Sequence, residues 1–436
     1  MGMKKKLNQL SVKEVANKIS SGETTSVKVV ESCLERISER EKEINAWAYI
    51  DPKLALENAL KTDKKNPKGL LHGVPFGVKD IIDTCDMPTE MGSKIYKGRR
   101  PTADASCVAL IKAAGATILG KTVTTEFAGS FPGSTRNPRN KDHSPGGSSS
   151  GSAAAVADFM TPAAFGTQTG SSILRPSSYC GIIGYKPTFG TYNIAGIKAA
   201  SQSLDTLGLH VRSLDDIQII TAVLVNRKHT EIKTLESAPK IGICRTPIWN
   251  ITLEETRNSL EDSASRLSEA GAKIQDIITP DSFEGLEEAR IKINCYERSR
   301  HMIYEWTEFK HLLSETFQEV INTGINMNYS DYIKAIIQTE KCRQDLDKTF
   351  DEVDVLIAPC VDGEAPIGIA YAGNPRLPGL WTAVRLPSIN LPTHIGPNGL
   401  PVSIQVIGGY RADDKLLSIS KWIIEKLGSP TLNEIG

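Results

Sequence analysis

The stretch 145-PGGSSSGSAAAVADF-159 decides how this chain is to be divided. Glycine and serine at that density are the material of a flexible linker, and a linker here would split the chain into two domains. The run passes without a break into Ala-Ala-Ala-Val-Ala, a strong helix start. Linkers do not usually do that, whereas a rigid loop that delivers serines to a fixed point does.

Working outward, the texture on either side is layered α/β. Ser11-Val-Lys-Glu14 reads as a capping box opening a short helix. A longer amphipathic helix is expected over 26–44, with Val30, Cys33, Leu34, Ile37 and Ile44 on its apolar side. From about residue 73, strand-like runs at 74–78 and 117–119 alternate with a helical pattern at 106–114, which argues for an α/β fold. Residues 128–210 are rich in Gly, Ser, Thr and Pro, too long a stretch for a plain loop in a compact domain. The α/β rhythm returns after 240, with strands at 240–244 and 273–278 and a helix at 253–270. Further helical segments near 284–320 and 330–350 are followed by a strand at 353–359. The stretch 386-LPSINLPTHIGPNGLPVSIQVIGG-409 reads as strand, Gly-Pro-Asn-Gly turn and strand. No repeat and no clear linker is visible, so one domain over 1–436 is expected.

The bulk numbers agree with a soluble globular enzyme. The chain has 436 residues, 40% apolar and 23% charged, enough for a large core. Lys+Arg and Asp+Glu both total 51, so zero net charge gives no electrostatic case for nucleic acid or an anionic membrane as partner. Eight cysteines (Cys33, Cys85, Cys107, Cys180, Cys244, Cys295, Cys342, Cys360) lack any CxxC spacing. They read as reduced thiols of a cytoplasmic protein, not as a disulfide framework or a zinc site. The opening MGMKKKLNQLSV has a basic run with no apolar segment behind it, unlike a signal peptide, and Lys6 stands where a myristoylation motif wants Ser or Thr. No apolar run approaches the roughly 18 residues of a membrane span.

Three motifs compete for the chemistry. The string 115-GATILGKT-122 fits the phosphate-cradling pattern G-x-x-x-x-G-K-[ST]. That motif needs a strand before the glycines and a helix after them. Here a helical pattern precedes, and Ala-Thr-Ile-Leu is itself strand-like, so a helix ending at Gly115 followed by a strand explains the residues better. The string 147-GSSSG-151 fits the nucleophile elbow G-x-S-x-G, which needs a strand before it and a catalytic His later. The preceding 132-PGSTRNPRNKDHSPG-146 is no strand, and His210, His229, His301, His311 and His394 have no setting that suggests catalysis.

The third candidate combines 73-GVPFGVKDII-82, the opening stretch and 166-GTQTGSSILRPSSYCGIIGYKPT-188. Each alone has a bland reading: an edge-strand lysine with its head in water, a solvated loop, a surface arginine. Together they suggest a serine nucleophile activated without histidine. Lysine serves as base only when neutral, and its free pKa of about 10.4 must then fall by several units through burial or nearby positive charge. A second serine can relay the proton, and successive N–H groups of a Gly-rich turn can hold an oxyanion.

These three segments resemble the amidase signature family, which uses a Ser–cis-Ser–Lys triad. The match runs from about 70 to 215, with weaker echoes in the N-terminal helices (about 8–65) and at 380–409 of a variable α/β part (about 216–436). The resemblance implies a central twisted mixed β-sheet covered on both faces by α-helices. It aligns Lys79 with the family's lysine, Ser148 with the bridging serine and Ser172 with the nucleophile. It implies an oxyanion hole from Thr169, Gly170, Ser171 and Ser172, with Ser149 and Thr167 supporting the lysine. The implied reaction is hydrolysis of an amide to acid and ammonia, with no metal or cofactor, in a homodimer.

Two departures bear on that reading. The family commonly has Gly where this chain has Ser171, and a positive φ there would strain a serine and disturb the oxyanion hole. It also leaves Ser171 beside Ser172 as a candidate nucleophile, with Ile173 and Pro176 setting a register that favours Ser172. Many members carry Asp where this chain has Gln168, and Arg where it has Leu174. Arg175 one residue on resembles the malonamidase branch, in which the arginine grips a substrate carboxylate; the alternative is that Arg175 is a structural ion-pair partner. The branch implies a small carboxylate-bearing amide. Other readings are the glutaminase-type component of a tRNA-dependent amidotransferase and a non-catalytic binding protein on the same scaffold.

Overall fold

The computed structural model describes residues 5–65 and 69–430. Among them, eleven strands make one sheet: β1 (Trp47–Ile50), β2 (Pro75–Lys79), β3 (Thr117–Thr122), β4 (Ala163–Gln168), β5 (Ile183–Lys186), β6 (Thr206–Val211), β7 (Lys240–Ile243), β8 (Lys273–Asp276), β9 (Val355–Pro359), β10 (Ser388–Ile395) and β11 (Pro401–Ile407). Their spatial order is β1-β3-β2-β4-β6-β5-β10-β11-β9-β7-β8. The sheet is mixed: β3, β2 and β4 run parallel, as do β9, β7 and β8, while the pairs from β4 through β6, β5, β10 and β11 to β9 are antiparallel. Strands β2, β3, β4, β5, β6, β9 and β11 are buried along their whole length. A strand that hides both of its faces has a layer on each side, so helices flank the sheet front and back in one α/β domain.

Local signals in the sequence translate directly. Ser11 accepts from the Glu14 amide while the Glu14 carboxylate accepts from the Ser11 amide at 2.7 Å, the reciprocal cap of the helix Val12–Ser20. The helix Ser26–Ile44 buries Val30, Cys33, Ile37 and Ile44, and Asn45 closes it in the left-handed region. The helix Ser106–Ala113 ends before Gly115, whose φ is +93°, and β3 follows. The order is helix, turn, strand, so 115-GATILGKT-122 is no phosphate loop. Its Lys121 lies buried in β3, paired with Asp80 at 3.2 Å. The 386–409 stretch is the hairpin β10–β11, closed where Gly396 donates to the Leu400 carbonyl at 2.8 Å. All eight cysteines are free thiols.

The opening stretch is not a hinge. Every residue from 143 to 158 is buried. Gly151 donates to the Val123 carbonyl, and a Cβ there would lie 2.2 Å from the Ala46 carbonyl oxygen, so only glycine lets the loop approach so closely. The helix Ser150–Ala157 then runs through the interior, its eight small side chains all buried. The two ends of the chain share the sheet: β5 pairs with β10, some 200 residues later.

Candidate active site

Lys79 is the last residue of β2, and the parallel neighbour β4 ends at Thr167 and Gln168. Loops that leave the carboxyl ends of adjacent parallel strands open a crevice, a common place for ligands in α/β sheets. The loop 143–149 and the turn 169–173 both reach this point. Lys79 is 0% exposed. Its Nζ donates to Ser148 Oγ and to Thr167 Oγ1, both at 2.8 Å, and to the Thr167 carbonyl at 3.4 Å. No carboxylate among the described residues forms an ion pair with it. Burial pushes its ammonium pKa well below the ordinary lysine value, against the pull of Asp205 and with a push from Arg298. A buried amine without a counter-ion is held neutral and basic, as a proton acceptor must be.

The Gly147–Ser148 peptide is cis, as the resemblance implied. Ser149 ties three pieces together. Its amide donates to the Ser172 carbonyl at 3.3 Å, and its hydroxyl donates to the Thr167 carbonyl and accepts from the Thr167 amide, each at 3.4 Å. Those bonds hold the Ser148 and Ser172 segments side by side. Ser172 keeps 9% of its surface exposed, whereas Ser171 keeps 1% and its hydroxyl has no partner. The more accessible of the two candidate nucleophiles is therefore Ser172. Ser171 is not among the non-glycine residues with positive φ, so the strain expected at this position does not arise.

The turn 169–173 presents its amides in a particular way. The carbonyls of Gly170, Ser171 and Ser172 are engaged, by Thr382 Oγ1 (2.7 Å), the Arg175 amide (2.9 Å) and the Ser149 amide. The amides of Ile173 and Leu174 are taken by Gln168 Oε1 at 2.8 and 3.1 Å. Among the described residues, the amides of Thr169, Gly170, Ser171 and Ser172 donate to nothing. Four consecutive unused N–H groups beside a serine make a cradle for a developing negative charge.

Arg175 differs from its expected part. Its Nε and Nη2 donate to the Gly147 carbonyl at 3.3 and 2.8 Å, and Nη1 donates to the Gly373 carbonyl. It forms no salt bridge among the described residues, so it is neither an ion-pair partner nor aimed first at a carboxylate; it braces the peptide before Ser148. Sequence reasoning also passed over four groups. Gln168 bridges to Thr382 Oγ1 through Nε2 at 3.0 Å. Asp205 accepts from Thr169 Oγ1 at 2.6 Å and anchors that end of the turn. Arg298 donates to the Phe127 carbonyl, where Phe127 and Ala128 both have positive φ. His210 lies fully buried, close enough to Lys79 to feel its charge, and its Nε2 would be 2.4 Å from a Cβ on Gly166. Nothing in the local pattern around these residues announces them, since each acts on a segment distant in sequence.

Comparison with known proteins bears on this geometry. A family model described as Amidase matches residues 28–417. The amidase-like component of glutamyl-tRNA(Gln) amidotransferase from Acinetobacter baumannii (strain AYE) is 31% identical, over 95% of this chain and 95% of that protein. A crystal structure of an amidase superposes with a TM-score of 0.89 at 28% identity, covering 96% of this chain and all of the other. The peptide amidase of Stenotrophomonas maltophilia superposes at 0.84 with 25% identity and 98% coverage of both chains. The likeness to these several kinds of relative does not single out the malonamidase branch.

Proposed function

The chain belongs to the amidase family, whose members hydrolyse carbon–nitrogen bonds, and from that premise we propose that it cleaves a small linear amide to its acid and ammonia through an acyl-enzyme on Ser172. Neutral Lys79 takes the Ser148 proton as Ser148 takes that of Ser172. The freed Ser172 oxygen bonds to the amide carbon, and the carbonyl electrons move onto oxygen, facing the amides of Thr169, Gly170, Ser171 and Ser172. On collapse the C–N bond breaks and Ser148 passes its proton to the departing nitrogen, regaining one from Lys79. Water then attacks the acyl group by the same relay and releases the acid. Ser149 and Thr167 orient the lysine, and Arg175 holds the Gly147–Ser148 peptide.

The observation that carries this reading is the fully buried Lys79 amine, 2.8 Å from Ser148 Oγ, beside four unengaged amides. It also speaks against a binding protein that has lost its chemistry, because a buried lysine without a counter-ion is costly and serves no packing purpose. Ser172→Ala and Lys79→Ala are each expected to lower amide-dependent ammonia release by about three orders of magnitude or more while circular dichroism stays native. Full activity in either variant refutes the assignment.

A second reading is favoured by one observation, the 31% identity to an amidotransferase component along nearly the whole chain. On it, the chain would draw ammonia from glutamine and act with partner proteins. Glutamine hydrolysis by the purified chain, compared with hydrolysis of small amides, separates the two: a preference for glutamine that grows with added amidotransferase partners supports the second.

A further inference from the structure

The helix Leu286–His301 carries Arg290, which is 6% exposed and lies against the active-site turn. One edge of its guanidinium is fixed: Nε and Nη2 donate to the two oxygens of Glu287 at 2.9 and 2.7 Å. The remaining nitrogen, Nη1, has no hydrogen-bond partner among the described residues. It points toward the turn, since a Cβ built on Gly170 would lie 3.1 Å from it. On another side the guanidinium passes Gly379, where a Cβ would be 2.8 Å from Nε. Two glycines thus leave a slot in which the fork lies flat, its free donors at the residue whose amide faces the reacting carbonyl.

We propose that Arg290 Nη1 binds a carboxylate carried by the substrate, so that the enzyme selects small amides with an anionic end. This rests on the amide-hydrolase reading above. The Glu287 fork fixes the direction of Nη1 before any ligand arrives, which lowers the cost of ordering it. That pair is neutral overall, and the charge that attracts an anion comes from Arg175, a buried guanidinium with no carboxylate in salt-bridge range among the described residues. Arg175 and Arg290 are close enough to influence each other, with Asp362 as the acidic group near Arg175, where it accepts from the Tyr179 hydroxyl at 3.1 Å. Arg175 thus supplies field and Arg290 the hydrogen bond, a division of labour that Arg175, tied to two carbonyls, does not manage alone. The distance from Gly170 favours an acid group only a few bonds from the scissile amide.

The test compares malonamate with malonamide, nearly isosteric and differing in charge, in the wild type and in Arg290→Gln combined with Glu287→Gln, which removes both charges and leaves neither alone. The wild type is expected to favour malonamate in kcat/KM by roughly 30- to 100-fold. The double variant is expected to lose that preference, chiefly through KM, with malonamide turnover within about threefold of wild type. Arg290→Lys, which keeps a positive charge without the fork, falls between. Equal losses on both amides, or a wild type indifferent to the charge, overturns the proposal while leaving amide hydrolysis intact. Malonate binding to Ser172→Ala by calorimetry reads the same subsite without turnover. Binding abolished by the paired glutamines upholds the subsite even if no amide is cleaved, and absence of malonate binding refutes it.

Discussion

At the scale of single residues, burial does most of the electrostatic work in this site. It strips Lys79 of its proton, and it acts on His210 in the same direction. The His210 ring donates to or accepts from Ser177 Oγ at 2.7 Å through Nδ1 and has no partner at Nε2. Burial first, and the nearness of Lys79 second, lower its pKa from 6.5 to about 3. The folded state therefore refuses a proton that the unfolded chain accepts below pH 6.5, and stability falls as pH drops from 6.5 toward 3. Between pH 7.5 and pH 5 that costs about 2 kcal/mol. His210→Gln is expected to reduce the difference between urea-derived stabilities at the two pH values by about that amount. An unchanged difference would assign the acid sensitivity elsewhere.

At the scale of elements, the turn after β4 is shaped by side chains that bind its backbone. Gln168 closes the first amides of the helix Leu174–Cys180, and Thr382, on the helix Arg376–Ala383, holds the Gly170 carbonyl away from the site. Gln168 Nε2 joins the two. An aspartate in place of Gln168 would be shorter and would carry no N–H to reach Thr382. Gln168→Leu strands two buried amides, a loss of about 1–3 kcal/mol. Thr382→Val removes the restraint on the Gly170 carbonyl with little change of volume. Both are expected to lower kcat more than they raise KM, because they disturb amides that act on the transition state. Steady-state kinetics with the preferred amide decides; a change confined to KM would place Thr382 in substrate binding instead.

At the scale of the whole molecule, the sheet makes the chain indivisible. The segment up to about 215, which carries the signature motifs, ends with β5 at an open edge that β10 covers, and β10 leads through β11 to β9. Arg290 and Thr382, both argued to act at the site, come from beyond that boundary. A fragment of residues 1–215 would present the whole β5 edge to solvent and lack these partners. It is expected to aggregate or stay unfolded, while the full chain unfolds in one calorimetric transition. A soluble, folded fragment, or two separate transitions, would show that the two parts are independent.

The amino-acid order alone determined much of this protein. The capping box at Ser11, the helix 26–44, the strand at the end of which Lys79 lies, and the three spaced segments with Lys79, Ser148 and Ser172 were all readable, because each depends on residue types a few positions apart. The Gly-Ser run at 145–151 could be read as a rigid loop only through resemblance; its burial is what makes it one. Tertiary structure decided the rest. Which arginine keeps a free donor, which amides stay unengaged and which serine stays accessible depend on partners often more than 100 residues away, such as Arg290 against Gly170 and Thr382 against Gln168. A hydrogen bond is won or lost by a few tenths of an ångström, and no spacing within one segment encodes where a distant helix will come to rest.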